Sequence, residues 1–554
     1  MCRSNRFVLC VALVLVALTM GVSAGGRQEA TTVQAVEVTA PGQFPIVTQP
    51  TTLRVMATPS IYVEDMYTNH LTLWYEELTG VSIEWDIIPN TAGWEERVSL
   101  RLASQSNLPD AMLSHGVPRE WLIVYGAQGL FMDLTGYIDR LGWGIQYLLE
   151  YNDTFAGQIV APDGKIYGLP ALNECYHCSM AQKMWINERW LERLGLQMPT
   201  TTEDFYRVLV AFRDNDANGS GRANDEVPLA IANGWHGSAD SFIMNSFIFN
   251  SGMNTPRLYV EDGQIRSAAD QPEWRDGLRF LRRLYAEGLM DREAFTADTA
   301  HVRMLTGGPD GNIVGAAPGG HMYWLDYSTD LKDEFVIVPP LTGPTGIRQT
   351  ALTPPALAQG AFVVMSNASQ PEVAYRWGDG MYTFGLGELN WRGRENIDWR
   401  WAEPGEVGLD GEPALYAMLW GEQDPPLAYG DPMNSWWYGL GPEFNNDRMR
   451  SGIVYDDSVW NLEKILFDAT SIYDPYGVAK MLPPLFMDLD SVAEHGELTT
   501  TLTDYIEESI ARFVIGELDL DRDWDRYLAE LRTIGYHRLV DMTQRAYDRQ
   551  YGGQ

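Results

Sequence analysis

The chain has 554 residues, with 75 Asp and Glu against 40 Lys and Arg, giving a formal net charge of −35. That balance excludes nucleic acid and an anionic membrane surface as partners, because both need a basic patch, and it disfavours a highly anionic ligand. The length supports two or three domain-sized cores, and an aromatic content of 12%, with 19 Trp, supplies flat faces for sugar rings as well as core.

At the start, Arg3 and Arg6 precede an apolar run from Phe7 to Leu18, and Val22-Ser23-Ala24 forms a small-residue cleavage site before Gly25. This predicts a secretory signal peptide over 1–24, with an apolar part too short to span a bilayer. Residues 25–50 show neither helical nor strand period and read as an extended leader. The nearly continuous apolar run LRVMATP (53–59) suits a buried parallel strand. A helix over 63–79 ending at Gly80, the strand VSIEWDIIP (81–89), a helix over 93–104 and PDAMLSHG (109–116) extend this to a β-α-β-α-β run. An open parallel sheet follows, with ligands outside the carboxyl ends of its strands: Thr58–Tyr62, Pro89–Trp94 and Ser114–His115.

The stretch 161–228 is the most informative. In APDGKIYGLP (161–170), an Asp163-Gly164 turn feeds a short β run that Pro170 stops. Next comes the aromatic and polar loop ECYHC (174–178). Cys175 and Cys178 are the cysteines that survive signal cleavage, and they read as a structural or idle pair rather than a redox or metal centre. WINERWLERLGLQMPTTTEDF (185–205) reads as a strand end and an amphipathic helix stopped by Gly195. A second helix then begins at the Thr200–Thr202 run, with Glu203 and Asp204 in its first turn. In DNDANGSGRANDEVPL (214–229), oxygen-bearing side chains alternate with glycines. From Asp214 the loop matches EF-hand spacing, with Gly219 at position six and Asp225 at position twelve, and Asp in place of Glu. Several anionic oxygens packed into so few residues would repel one another without a cation, so calcium is favoured over a plain Asp/Asn/Gly turn.

Further on, a helix over 272–287 stops at Gly288, and a second helix covers 372–383. The block 385–474 is rich in Gly, Pro and Trp (391, 399, 401, 420, 436, 437) and short of periodic pattern. It either caps a cleft or buries its rings as insertion core. Leu502, Tyr505, Ile506, Ile510 and Phe513 mark one closing helix, and Trp524, Tyr527, Leu528 and Leu531 another.

The GKxYGLP-like strand, the W/Y-x-N strand end, the LG-x-x-x-P-x-T junction and the NGxGxxxDExP loop, in this order, resemble the solute-binding proteins of bacterial ABC importers. The likeness is greatest to large oligosaccharide types related to maltose- and alginate-oligosaccharide-binding proteins, and the closing segment 511–549 is also similar. The resemblance covers about Thr51 to Tyr551. It implies an α/β, two-lobed periplasmic-binding-protein fold with a hinge and a central ligand cleft. The first lobe would hold 51–133 and 356–485, including the 385–474 insertion, and the second 134–355 and 486–554, with crossings at GLFMDL (129–134) and PALAQGAFVVMSN (355–367). It also implies calcium held by the side chains of Asp216, Asn218 and Ser220, the Arg222 carbonyl, and Asp225 with Glu226. Lipoproteins of this family carry a cysteine where Gly25 stands, so a free periplasmic protein is expected.

Sugar recognition needs planar hydrogen-bonding groups for hydroxyls and aromatic faces for the C–H sides of rings. Loops placed at strand ends supply His115, Asp133, Glu174, Tyr176, His177, Trp235, His236, Tyr323 and Trp324. Asp133, Glu174 and Tyr176 are assigned by likeness to sugar contacts of maltose-binding proteins. The implied function is a non-enzymatic, monomeric receptor that delivers an oligosaccharide to the transmembrane subunits of a permease. The alternative is an exported glycan hydrolase or lyase using two acidic cleft residues.

Overall fold

The computed structural model describes residues 36–552 except 223, 309–310, 384–389, 420–431 and 456–460. The signal peptide, the first part of the leader and Trp420 lie outside the described residues.

Two sheets organise the chain. The larger orders its strands Phe444–Asn445, Leu169–Asn173, Ala358–Val364, Ala111–Leu113, Thr51–Ala57 and Val81–Ile87. Its last three strands are parallel, as the β-α-β-α-β pattern predicts, while Ala358–Val364 runs antiparallel to both its neighbours. The smaller sheet is mixed and orders Phe335–Val338, Met184–Asn187, Val314–Pro318 and Val227–Leu229.

The period-two alternation of strands separates a core on each face. In the first sheet Val55, Ala57, Leu113, Phe362 and Val364 pack on one side with helices His70–Thr79 and Pro371–Asp379. Met56, Met112 and Val363 pack on the other with Trp94–Ser104 and Arg119–Ala127. In the second sheet Met184 and Ile186 meet helices Thr202–Asp214, Pro272–Ala286 and Val492–Ile515, while Trp185 faces Trp324 and Leu466. The result is a two-lobed α/β architecture, each lobe a sheet covered on both faces.

Four expectations are corrected. The first concerns the lobe crossing. Phe131 bridges Met365, the Met132 N–H donates to Val364 O, and Ile138, Ile145, Leu148 and Phe155 share a core with Leu53 and Leu169. The three N–H groups of Trp143, Gly144 and Ile145 donate to the buried Asp379 carboxylate at 2.9–3.0 Å, tying this segment to the first sheet's covering helix. Residues 134–173 therefore pack with the first sheet, and the chain passes to the second between Asn173 and Met184. Periodicity showed the helices there but carried no information on which sheet they cover.

The second correction is at Pro170, which lies inside the strand Leu169–Asn173 instead of stopping it. The pairing with Ala358–Val364 shifts register there, and a bulge tolerates a residue without an N–H. Third, the first helix begins at His70, not Val63, because the buried Asn69 side chain accepts the Leu71 N–H as its N-cap. Fourth, the end of the leader is docked. Ile46 and Val47 are buried in the first-sheet core, and the Arg376 guanidinium donates to Thr39 O (2.5 Å) and Gln43 O (3.1 Å). An irregular segment held by a few anchors leaves no period to read.

Among the described residues, three of the insertion's five tryptophans are core: Trp399, Trp436 and Trp437. Trp437 packs edge-on against Trp85 at 5.9 Å, Trp436 Nε1 donates to Tyr62 O and Trp399 Nε1 to Gly393 O. Trp391 stays partly open and Trp401 exposed.

Candidate ligand cleft and cation loop

The carboxyl ends of the first sheet's parallel strands carry His115 and Glu174. The His115 imidazole lies against the Gly439 backbone, and burial pushes its pKa down to about 4. The buried Glu174 carboxylate accepts the Tyr151 hydroxyl at 2.7 Å and the Asp447 N–H at 3.0 Å, at the start of helix Asp447–Ser451. Cys175 and Cys178 form a disulfide around the short helix Tyr176–Ser179. The Tyr176 hydroxyl donates to Asp474 at 2.6 Å and its ring tilts onto Phe467. His177 Nδ1 lies 3.4 Å from Glu463. Burial, with Arg450 and Lys183 nearby, pushes the His177 pKa down to about 2. The fully buried Lys183 ammonium donates to His177 O and Met180 O, and desolvation lowers its pKa to about 7.

On the second lobe, Trp235 follows strand Val227–Leu229 and His321 follows Val314–Pro318. The Trp235 indole is 40% exposed and is ringed by His236 at 5.3 Å, His321 at 6.0 Å and His177 at 6.5 Å between centroids. Gly320 allows this approach, since a Cβ there would sit 2.2 Å from the indole. Tyr323 packs on His321 and donates its hydroxyl to Ala232 O at 2.6 Å. Burial pushes His236 and His321 down to about 4.

The structure thus brings together His177, Trp235, His236 and Tyr323, with Tyr176 and Glu174 adjoining on the same loop. Three expected residues do not join them, the first being His115, which stays beside Gly439 on the first sheet. Trp324 is 0% exposed and packs with Trp185 and Phe335, while Tyr323, edge-on to it at 5.2 Å, reaches His321. Asp133 follows Met132, which bonds Val364, the partner of Ala111 at the amino end of its strand. Asp133 is therefore at the opposite end of the sheet from His115, where its carboxylate accepts the Thr135 N–H. Sequence reasoning missed His321, Arg450 and Glu463; the last two lie in the aperiodic insertion, which gave no strand end on which to place them. The sulfurs of Cys175 and Cys178 and a His177 nitrogen lie within 4.8 Å of one another, but disulfide formation leaves no thiolate for a metal.

The 214–226 loop is closed by hydrogen bonds among its own side chains and backbone. Asp216 Oδ2 accepts the Gly221 N–H, Asn218 Oδ1 the Ser220 N–H, and Ser220 Oγ lies 2.9 Å from Asp225 Oδ2 and 3.5 Å from the Arg222 carbonyl. Glu226 Oε1 accepts the Ala217 N–H. Asp216 Oδ1 and Glu226 Oε2 are buried with no hydrogen-bond partner. Two orphaned anionic oxygens in one loop fit a hard cation with oxygen ligands.

No protein-family model matches the chain. Over 492 residues it is 28% identical to FusA, the fructooligosaccharide ABC transporter substrate-binding protein of Streptococcus pneumoniae, covering 85% of each chain. A solved EF-hand mutant of FusA in complex with fructo-nystose shares the fold at a TM-score of 0.75 and 23% identity, over 91% of this chain and all of that one. The alginate-binding protein AlgQ2 without calcium ion gives 0.67 at 20% identity, over 92% of this chain and all of that one. These relatives are binding proteins. The chain is accordingly a homologue of ABC transporter substrate-binding proteins, with the two-lobed fold of oligosaccharide-binding members.

Proposed function

We propose that this protein captures an oligosaccharide between its lobes and delivers it to the transmembrane subunits of an ABC permease, without chemistry on the sugar. The observation that carries this reading is the exposed Trp235 indole at the strand ends, ringed by neutral imidazoles that offer hydrogen bonds to hydroxyls. FusA, a fructooligosaccharide-binding protein, makes fructose oligomers the first ligands to try. Binding follows from His115, Glu174, Tyr176, His177, Trp235, His236 and Tyr323. Calorimetric titration with fructo-, malto- and xylo-oligosaccharide ladders tests it. Heat of binding with intact sugar recovered supports a receptor, and steady release of shortened glycan overturns it.

Calcium belongs to the same reading. Asp216, Asn218, Ser220, the Arg222 carbonyl, Asp225 and Glu226 are the ligands, and the ion stiffens the turn between helix Thr202–Asp214 and strand Val227–Leu229. The EF-hand of FusA supports a cation at this kind of loop. The protein is exported as a monomer with Gly25 at its mature N-terminus and no lipid. A diacylglyceryl mass on the mature chain would refute that. No helix among the described residues is long and apolar enough to cross a membrane.

A further inference from the structure

A cavity lies within the insertion, outside the residues expected for the cleft. Its volume is about 120 Å³, and Trp391, Arg392, Tyr416, Asn445, Arg450 and Glu463 line it beside Met418 and Ile453. Three features make it a built site. Trp391 is fixed: its indole N–H donates to the buried Glu443 carboxyl, and its ring packs on Tyr438 at 5.1 Å. The same ring covers Gly439, a residue at φ +72° where a Cβ would sit 2.2 Å from the indole. Trp391 stays partly open and lines the cavity. Asn445, only 4% exposed, donates its Nδ2 to Asn173 Oδ1 at 3.1 Å, and its own Oδ1 is a buried acceptor with no hydrogen-bond partner. A buried amide oxygen without a donor is costly unless something supplies one.

The third feature is continuity. Arg450 and Glu463 also line a smaller cavity, of about 20 Å³, with Tyr176 and His177. Glu463 reaches Arg450 at 3.5 Å and His177 at 3.4 Å, and His177 touches Trp235. An unbroken polar line therefore joins the Trp235 rim to the insertion.

We propose that the insertion builds a second sugar subsite, with Trp391 as its stacking face and Asn445 Oδ1 as hydroxyl acceptor, so that the ligand is a chain of at least two rings. The inference rests on the oligosaccharide-receptor reading above. The unit held here is a neutral sugar. One hydroxyl donates to Asn445, its C–H face covers the indole, and Arg450, whose charge is offset by Glu463, donates to a second oxygen. Glu443 touches no sugar; it is a positioning residue that sets the plane of Trp391. Burial pushes its carboxyl pKa up to about 8, so at neutral pH it holds the indole N–H as an uncharged acceptor.

The test titrates fructo-, malto- and xylo-oligosaccharide ladders of two to five units into the full protein and its variants. In the wild type, affinity rises with chain length. Trp391→Ala and Asn445→Ala each lose tenfold or more for the longer members while the shortest bound member changes less than twofold. Trp235→Ala weakens every length. Glu443→Gln, which keeps a neutral acceptor, binds as wild type, whereas Glu443→Ala loses the length dependence as Trp391→Ala does. If Trp391→Ala and Asn445→Ala melt as wild type and bind every length equally well, the second subsite is overturned and the receptor reading stands. If the wild type binds no ladder, the receptor reading falls, and this inference with it.

Discussion

The His177 imidazole meets the Trp235 indole edge-on, with ring centroids 6.5 Å apart and planes at 79°. A side chain on the connection between the two sheets thus touches one on the rim of the second. A sugar stacked on Trp235, as proposed above, would also meet that connection.

Trp235 and Trp324 should respond oppositely to the same truncation. Trp235→Ala is expected to weaken ligand binding by about 1–3 kcal/mol with little change in melting. Trp324→Ala empties a core position and should destabilise the fold by about 3–5 kcal/mol. Calorimetric titration beside denaturant melts separates them, and a binding loss confined to Trp324→Ala would reverse the assignment.

Calcium should raise the melting temperature, because a site formed only in the folded state stabilises it by mass action, about 2.7 kcal/mol at a hundredfold excess over Kd. Asp216→Ala and Asp225→Ala should each remove the response. Chelator-insensitive melting, with no calcium by elemental analysis, would leave the loop a turn.

Acid should destabilise the protein through its cleft histidines. His115, His236 and His321 are held down to about 4 and His177 to about 2, against an ordinary value near 6.5. Between about pH 4 and 6.5 the unfolded chain takes up protons that the folded one refuses, so stability is present above 6.5 and is lost as pH falls. The buried Glu443 carboxyl, raised to about 8, works in the other direction over pH 4.5–8, and burial raises Asp379 and Asp447 as well. The four imidazoles, however, titrate through the whole window from pH 7 to 5 and outweigh them. Melting temperatures that stay level or rise from pH 7 to 5 would contradict the burial of these rings.

Opening the Cys175–Cys178 disulfide should cost binding more visibly than stability. The loop it closes is short, so the chain-entropy effect is about 2 kcal/mol at most. Tyr176 and His177 sit inside that loop and lose their fixed orientation. A double Cys→Ser variant should bind sugar severalfold more weakly; unchanged affinity would show that the loop holds its shape without the bond.

Arg376→Ala should release the leader. The guanidinium is buried and holds two backbone carbonyls of residues 39–43. Limited proteolysis should cut the variant near Thr39–Gln43 well before the wild type, while sugar binding is retained. Equal cleavage rates would mean that Ile46 and Val47 anchor the segment unaided.

What was legible followed from local physics. Period-two and period-3.6 patterns placed the strands near Val55 and Ile83 and the helices at Trp190, Phe205 and Trp274. What was not legible depended on contacts between distant segments. Nothing near Asp133 says that helices Thr135–Leu141 and Gly144–Tyr151 return to Asp379. Nor does the pair Tyr323-Trp324 say which ring faces the cleft, since that depends on the neighbouring sheet. Trp391 was hardest, because its orientation is set by Glu443 and Gly439, about fifty residues away in an aperiodic stretch.

The helix Val492–Ile515 begins with Val492 among the residues covering the first sheet and, from Leu502 onward, is buried with those of the second. Leu498, between them, packs against both. At 1.5 Å per residue this is a rod of about 36 Å with no proline to kink it. A strut seated in both cores couples the two sheets, so any shift of one lobe against the other would move side chains packed on Leu498.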